Sequence, residues 1–153
     1  AMLGMPSSLR KVRDDVQSTW LMNSCATTQC HGGEQAGRLM LYNRSATADR
    51  PVLTNLLILE RFRLDDGTPL VDYARPADSP LLQMAMVRHN SATPHPPVRG
   101  WQPVFLSRED QRFRDAVEWL ESMHRPRPDY PVDYTPPKSL TPREQAPELG
   151  PDR

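Results

Sequence analysis

The chain has 153 residues, which suits one domain, and it carries 19 basic and 19 acidic side chains. This neutral balance argues against a nucleic-acid partner and against attraction to an anionic membrane surface. Hydrophobic residues make up only 37% of the chain, so either part of it lies outside the core or an apolar cofactor completes the core. No apolar run reaches the roughly 18 residues of a membrane span, and no integral span is expected.

Proline divides the chain into two parts. Eight of the 17 prolines lie between Pro126 and Pro151, in a stretch with few aliphatic side chains and no helical period. Such composition is typical of an extended segment. We therefore expect a folded domain over residues 8–125 and an extended Pro-rich tail or linker over residues 126–153.

Two helices and a hairpin are predicted in the first half of the domain. The first helix spans about residues 8–22, where apolar side chains recur at helical spacing, and it leads into Cys25. A second helix begins near Pro51, because proline is favoured at the first helical positions. Apolar and polar residues alternate on both sides of the Asp-Gly pair at 66–67, which predicts a short β-hairpin with that pair as its turn.

Two further helices are predicted, separated by a long irregular segment. Ser79 followed by proline opens a helix over residues 81–89. Residues 90–103 contain four prolines, and a loop of that length in a compact domain is usually functional or disordered. Ser107 and Asp110 form a capping-box variant before the last helix. The sequence thus predicts a mainly α domain with a short β-hairpin insertion.

The two cysteines of the chain carry its most specific motif. Cys25 and Cys30 are followed directly by His31 and then by Gly32 and Gly33. In c-type haem attachment two thiols bind the porphyrin, and the adjacent histidine reaches the iron; the common spacing is C-x-x-C-H. Here the spacing is C-x4-C-H, which requires a looped-out spacer. Glycine after the histidine lets the backbone pass close to a flat macrocycle.

Other interpretations of these residues remain open at this point. The cysteines could form a structural disulfide around a small loop, or a pair of reactive thiols, although no βαβ pattern accompanies them. A zinc site is the third alternative, since zinc ligands also occur at such spacings. Its ligands would be Cys25, Cys30, His31 and one of His89, His95 or His124.

Several segments together resemble the single-haem cytochrome c domain found in planctomycete bacteria, and more generally class I cytochromes c. The most specific are SCATTQCHGG, at residues 24–33, and HPPVRGW, at residues 95–101. The others are residues 20–23, 39–42, 80–83 and 119–130, so the resemblance covers about residues 8–130. It implies a small helical fold and one covalently attached haem c held by Cys25 and Cys30, with His31 as an iron ligand. The four-residue spacer departs from the common pattern.

The resemblance also indicates where a second iron ligand belongs. In class I cytochromes c that ligand is a methionine in the loop before the last helix, but there is no methionine between residues 87 and 122. His95, in the proline-stiffened loop, occupies the corresponding place and is our first choice. Met86 is the alternative, although methionine at helical spacing more often packs in a core. Two histidine ligands would give a lower reduction potential than a histidine and a methionine.

Weaker predictions concern the residues around this site. Trp101 is expected at the haem edge or bonded to a propionate, unless it is only a core residue. Arg99 is expected to pair with a propionate, unless it is simply solvated. Trp20 and Trp119, on the first and last helices, are interpreted as core residues.

The sequence therefore predicts an electron carrier and not an enzyme. Its partner would be another redox protein or a larger redox enzyme, and it would work in the periplasm or elsewhere outside the cytoplasm. We expect that a signal or anchor segment has been removed from this chain. The alternatives are a non-redox interaction module closed by a Cys25–Cys30 disulfide or a zinc ion, and a haem peroxidase or gas-binding haem protein.

Overall fold

Helices form most of the regular structure in the computed structural model, which describes residues 6–44 and 48–123. The predicted mainly α class is therefore confirmed. The Pro-rich tail predicted at residues 126–153 and His124 lie outside the described residues. Within the described part of the chain, no helix is both long enough and apolar enough to cross a membrane.

The first helix changes its winding partway along. Helix α1 (Ser7–Lys11) continues directly as a π-helix (Val12–Cys25), which is three residues longer than predicted. Its buried side chains lie on one face of the helix; they are Val12, Val16, Gln17, Trp20 and Leu21. Cys25 ends this series, half-buried against the core. The winding thus delivers the first cysteine at the edge of the hydrophobic core.

Three α-helices follow: α2 (Asp49–Arg61), α3 (Pro80–Ala85) and α4 (Gln111–Met123). The predicted starts near Pro51 and Ser79 are confirmed. The predicted end of α3 at residue 89 is wrong, because Met86 turns into an extended conformation and forms a parallel bridge with Phe105. Single 3₁₀ turns, Pro76–Asp78 and Arg88–Asn90, flank α3.

The predicted β-hairpin is reduced to one isolated bridge, between Arg63 and Pro69. The Asp-Gly turn is present, with Gly67 at a φ of 86°, a left-handed conformation that glycine adopts without strain. Two strands do not form around it. The chain beyond Leu70 turns back through bonds from the N–H groups of Ala74 and Arg75 to the Asp72 carboxylate.

The core lies between the first helix and α4, with α2 packed against the first helix. Trp20 and Trp119 are both fully buried, as predicted for core residues. The Trp20 ring also meets Phe105 edge to face, and Phe105 meets Phe113 in the same way. Phe105, which follows the irregular loop, is thus packed against both the first helix and α4.

A buried amide joins α2 to the chain next to the cysteine loop. Asn55 is fully buried, accepts a hydrogen bond from the Tyr42 N–H at 2.7 Å and donates to the Tyr42 carbonyl oxygen at 2.9 Å. It also donates to the Gln17 side chain at 3.2 Å. Leu41, the residue before Tyr42, donates its N–H to the carbonyl oxygen of His31 in the cysteine motif. Asn55 thus connects the core to the candidate site.

Candidate functional site

The spacer between the cysteines folds into a hydrogen-bonded turn. The carbonyl oxygen of Thr27 accepts bonds from the N–H groups of Cys30, at 3.0 Å, and of Gly32, at 2.9 Å. The N–H of His31 donates to the carbonyl oxygen of Cys25 at 2.8 Å. Thr28 and Gln29 are exposed at the tip. The longer spacing is therefore taken up at the surface, while the backbone at both cysteines and at His31 is held in place.

The two glycines after His31 pack against this turn. A Cβ on Gly32 would lie 1.9 Å from the Ala26 carbonyl oxygen, and one on Gly33 would lie 2.1 Å from that of Thr28. No side chain fits at such distances. Both glycines are thus required by the close approach of the spacer backbone, whereas the predicted approach to a macrocycle stays a prediction.

Both cysteines are free thiols and half-buried. Burial raises the pKa of the Cys25 thiol to about 12, and the neighbouring Cys30 raises it further. Reactive cysteines of redox enzymes instead have lowered pKa values and electropositive surroundings. Cys25 does not have the properties of a redox nucleophile.

The ring of His31 is oriented by two backbone carbonyls. Its Nδ1 lies 3.0 Å from the carbonyl oxygen of Leu39 and 3.4 Å from that of Ala36. Carbonyl oxygens only accept hydrogen bonds, so Nδ1 carries the proton and Nε2 has a free lone pair. Metal-binding histidines in proteins are prepared in this way, with one ring N–H bonded to a carbonyl or carboxylate. His31 therefore has the tautomer of a ligand.

The irregular loop that carries His95 is closed at its base. The Met86–Phe105 bridge is supported by bonds from the Val104 N–H to the Ala85 carbonyl oxygen, at 2.7 Å, and from the Val87 N–H to that of Phe105, at 2.8 Å. Such a loop, whose ends lie close together, has the form of an Ω-loop.

A buried glutamine supports the start of the same loop. Gln83 is fully buried; its Oε1 accepts from the Ala92 N–H at 2.8 Å, and its carbonyl oxygen accepts from the Ser91 hydroxyl at 2.6 Å. Its Nε2 donates to the carbonyl oxygen of Ala77. The Ω-loop is therefore anchored before it reaches His95.

His95 has three contacts of its own within this loop. Its Nδ1 bonds the carbonyl oxygen of Pro96 at 2.8 Å, which leaves Nε2 free as in His31. Its ring stacks on Trp101, with centroids 5.3 Å apart and planes 15° from parallel. The guanidinium of Arg88 donates to its backbone carbonyl oxygen. Burial lowers the pKa of His95; the hydrogen bond to Pro96 opposes this, and the charges of His31 and Arg88 lower the pKa further.

The rings of His31 and His95 are neighbours in an edge-to-face arrangement. Their centroids are 6.2 Å apart, and their planes are inclined at 63°. A metal–imidazole bond is about 2.0 Å long and the nitrogen lies about 1.2 Å from the ring centre, so two imidazoles that bind one metal have centroids at most about 6.4 Å apart. The rings of His31 and His95 lie within this limit, and each has its Nδ1 already bonded to a carbonyl oxygen. The two rings are near enough to each other for both histidines to bind one metal ion.

The other predicted site residues lie elsewhere. Met86, the alternative distal ligand, is fully buried in the core cluster. His89 is exposed, and so is Arg99, which makes no hydrogen bond or ion pair with any described residue. No group of three or more histidine, cysteine or acidic side chains positioned to hold a metal occurs among the described residues.

Arg88 and Gln83 are the contributors that sequence reasoning missed. Arg88 reaches the His95 carbonyl from the 3₁₀ turn before the loop, and no motif marks it. The sequence does contain a signal for Gln83, because it is a polar residue within the apolar run of α3. A buried polar side chain needs hydrogen-bond partners, so this position predicts a structural contact.

Comparison with family models, with curated proteins and with solved structures gives no match to this chain. Its function therefore has to be argued from the chemistry of the site.

Proposed function

We propose that this protein is an electron-transfer c-type cytochrome with one covalently attached haem. Cys25 and Cys30 would form the two thioether bonds, and His31 and His95 would be the axial ligands of the iron. The observation that carries the proposal is the 6.2 Å separation of the two imidazole rings, each with Nδ1 bonded to a backbone carbonyl. The expected fold is that of a class I cytochrome c, with the first and last helices packed together.

Ligation by two histidines suits electron transfer more than catalysis. The haem supplies one-electron chemistry, and two strong protein ligands leave no open position on the iron for a substrate. The chain's own contribution is to hold both rings at a fixed separation. Ligands held in this way would move little when the charge of the iron changes.

Two more residues belong to the proposed haem surroundings. Trp101 stacks on His95, so it stands beside the distal ligand. Arg99 is exposed on the same loop and could neutralise a propionate. Met86 is a poorer distal ligand, because binding would require it to leave the core, where it is fully buried.

A soluble carrier of this kind needs another redox protein, or a larger redox enzyme, as its partner. Covalent haem attachment takes place outside the cytoplasm, so a periplasmic or other extracytoplasmic location is part of the proposal. Bis-histidine ligation would place the reduction potential below that of a histidine–methionine cytochrome.

The absorption spectrum of the protein, produced in a host that matures c-type cytochromes, tests the proposal. We expect a low-spin ferric spectrum and a Soret band that stays with the protein after acid–acetone extraction. His95→Ala should convert the iron to high spin, whereas His89→Ala, a matched exposed histidine, should leave it low-spin.

Each alternative gives a different result. Colourless protein from such a host, with a disulfide or chelatable zinc, supports the interaction module. A wild-type protein that is high-spin and changes with peroxide supports the peroxidase or gas-binding alternative. A low-spin spectrum that survives His95→Ala removes His95 from the site.

A further inference from the structure

The two proposed ligands are held to the protein very differently. The ring of His31 donates to the carbonyl oxygens of Leu39 and Ala36, and its backbone bonds Cys25 and Leu41. All of these partners belong to other parts of the chain. The ring of His95, in contrast, bonds only its own neighbour Pro96. The distal ligand is therefore the less restrained of the two.

Residues 94–103 have one hydrogen bond to the rest of the described chain, which is the bond from Arg88 to the carbonyl oxygen of His95. The other bonds in this segment are internal: His95 to Pro96, and the Trp101 N–H to the carbonyl oxygen of Val98 at 3.2 Å. Arg88 is thus the tether of the segment that carries the ligand.

Trp101 provides the second restraint. Its indole lies parallel to the His95 ring, and a turn that needs Gly100 at a φ of 82° brings it there. Stacking fixes the plane of an imidazole, and aromatic pairs of this kind contribute beyond the area that they bury. Pro96 is the next residue in the chain, so the bond to it moves with the histidine. The contact with Trp101 is what orients the plane of the His95 ring relative to the rest of the loop.

We propose that Arg88 and Trp101 are the positioning residues of the distal ligand, and that His95 is the ligand which small exogenous molecules displace. This inference rests on the proposed function, because it assumes that His31 and His95 bind one iron. An exogenous ligand binds only where His95 has left the distal position. The apparent affinity of that ligand is therefore reduced by the equilibrium constant for His95 binding to the iron. Removing either restraint lowers the equilibrium constant for His95 binding and so raises the apparent affinity of the exogenous ligand.

Cyanide binding to the ferric haem-containing protein measures this competition. We expect Arg88→Ala to bind cyanide about tenfold more tightly than wild type, as for the loss of one hydrogen bond to a charged group. Trp101→Ala should bind it severalfold more tightly. Arg88→Lys, which keeps a donor but not the guanidinium fork, should be intermediate, and Trp101→Phe should lie close to wild type.

Matched controls separate positioning from a general loss of stability. Arg61→Ala removes an exposed arginine from the end of α2, and Gln102→Ala removes an exposed side chain next to Trp101. Both should bind cyanide like wild type. Urea unfolding of every variant shows whether it is folded, and Arg88→Lys and Trp101→Phe remain informative if an alanine variant is not.

The outcomes are distinct for the two proposals. Tighter cyanide binding in both alanine variants, with unchanged controls, supports the positioning role. Low-spin protein whose cyanide affinity is the same in wild type, Arg88→Ala and Trp101→Ala overturns it and leaves the proposed function standing. Protein without covalent haem, or with a spectrum indifferent to His95→Ala, overturns the bis-histidine proposal and this inference with it.

Discussion

Gly32 lies so close to Ala26 that a Cβ atom would stand 1.9 Å from the Ala26 carbonyl oxygen. The neighbour is backbone and cannot move aside as a side chain can. We expect Gly32→Ala to open the turn between Cys25 and His31, to destabilise the protein by about 1–3 kcal/mol as overpacking does, and to lower the yield of covalent haem. Urea unfolding and haem content measure the two effects. Thr28→Ala, at the exposed tip, is the control, and equal values for the two variants would contradict the prediction.

Asn55→Ala should be among the most destabilising single substitutions in α2. The amide of Asn55 bonds both backbone groups of Tyr42 and the side chain of Gln17, and its removal leaves buried polar groups without partners. An orphaned buried group costs about 1–3 kcal/mol. The free energy of unfolding in urea measures the loss, and the exposed neighbour Thr54→Ala serves as control. A loss no larger than that of the control would show that the network does not stabilise the fold.

Asp110 caps α4, because its Oδ1 accepts from the Arg112 N–H at 2.9 Å. Burial by itself raises the pKa of Asp110, but the hydrogen bonds from the side chain and backbone of Arg112 outweigh it and lower the pKa. We expect Asp110→Ala to cost about 1 kcal/mol at neutral pH. Because the pKa of Asp110 is lower in the folded state, this carboxylate stabilises the fold at a pH above its unfolded-state pKa of about 4. That stabilisation is lost as the pH falls through the folded-state pKa.

The difference in unfolding free energy between wild type and Asp110→Ala should therefore shrink as the pH falls below about 4. Glu121→Ala, an exposed carboxylate further along α4, should be close to wild type throughout. A difference that stays constant down to acid pH would contradict the capping role.

Cys25 should be a slow thiol in protein that has been produced without haem. Its pKa of about 12 leaves almost no thiolate at pH 8, whereas an unfolded cysteine, with a pKa of about 8.5, is partly ionised. In Cys30→Ser, where Cys25 is the sole thiol, we expect alkylation by iodoacetamide to be at least about a hundredfold slower than in urea. Peptide mass spectrometry follows the reaction. Equal rates with and without urea would show that the folded chain does not bury this thiol.

The sequence predicted best what depends on local pattern. The starts of α2 and α3 and the buried positions of α4 follow from apolar periodicity and from proline or capping residues. What it missed depends on partners distant in the chain. α3 ends at Ala85 because Met86 pairs with Phe105, and the hairpin stops at one bridge because the chain turns back at Asp72. The π-helical winding before Cys25 shares its apolar pattern with an α-helix, so periodicity did not distinguish them.

The candidate site divides in the same way. Cys25, Cys30 and His31 are adjacent in sequence, and the place of His95 came from resemblance and the order of elements. The orientation of each ring comes from carbonyl groups, such as that of Leu39, and these have no sequence signature. Arg88 was missed for the same reason, since its acceptor is the backbone of His95.

The mass of the peptide that contains residues 25–31, from protein produced in a host that matures c-type cytochromes, tests the central claim most directly. We predict that this peptide carries one haem, bound through both cysteines, and that no other peptide does. Two unmodified thiols in this peptide would contradict the proposed cytochrome. So would a mass lower by two hydrogens, which indicates a Cys25–Cys30 disulfide.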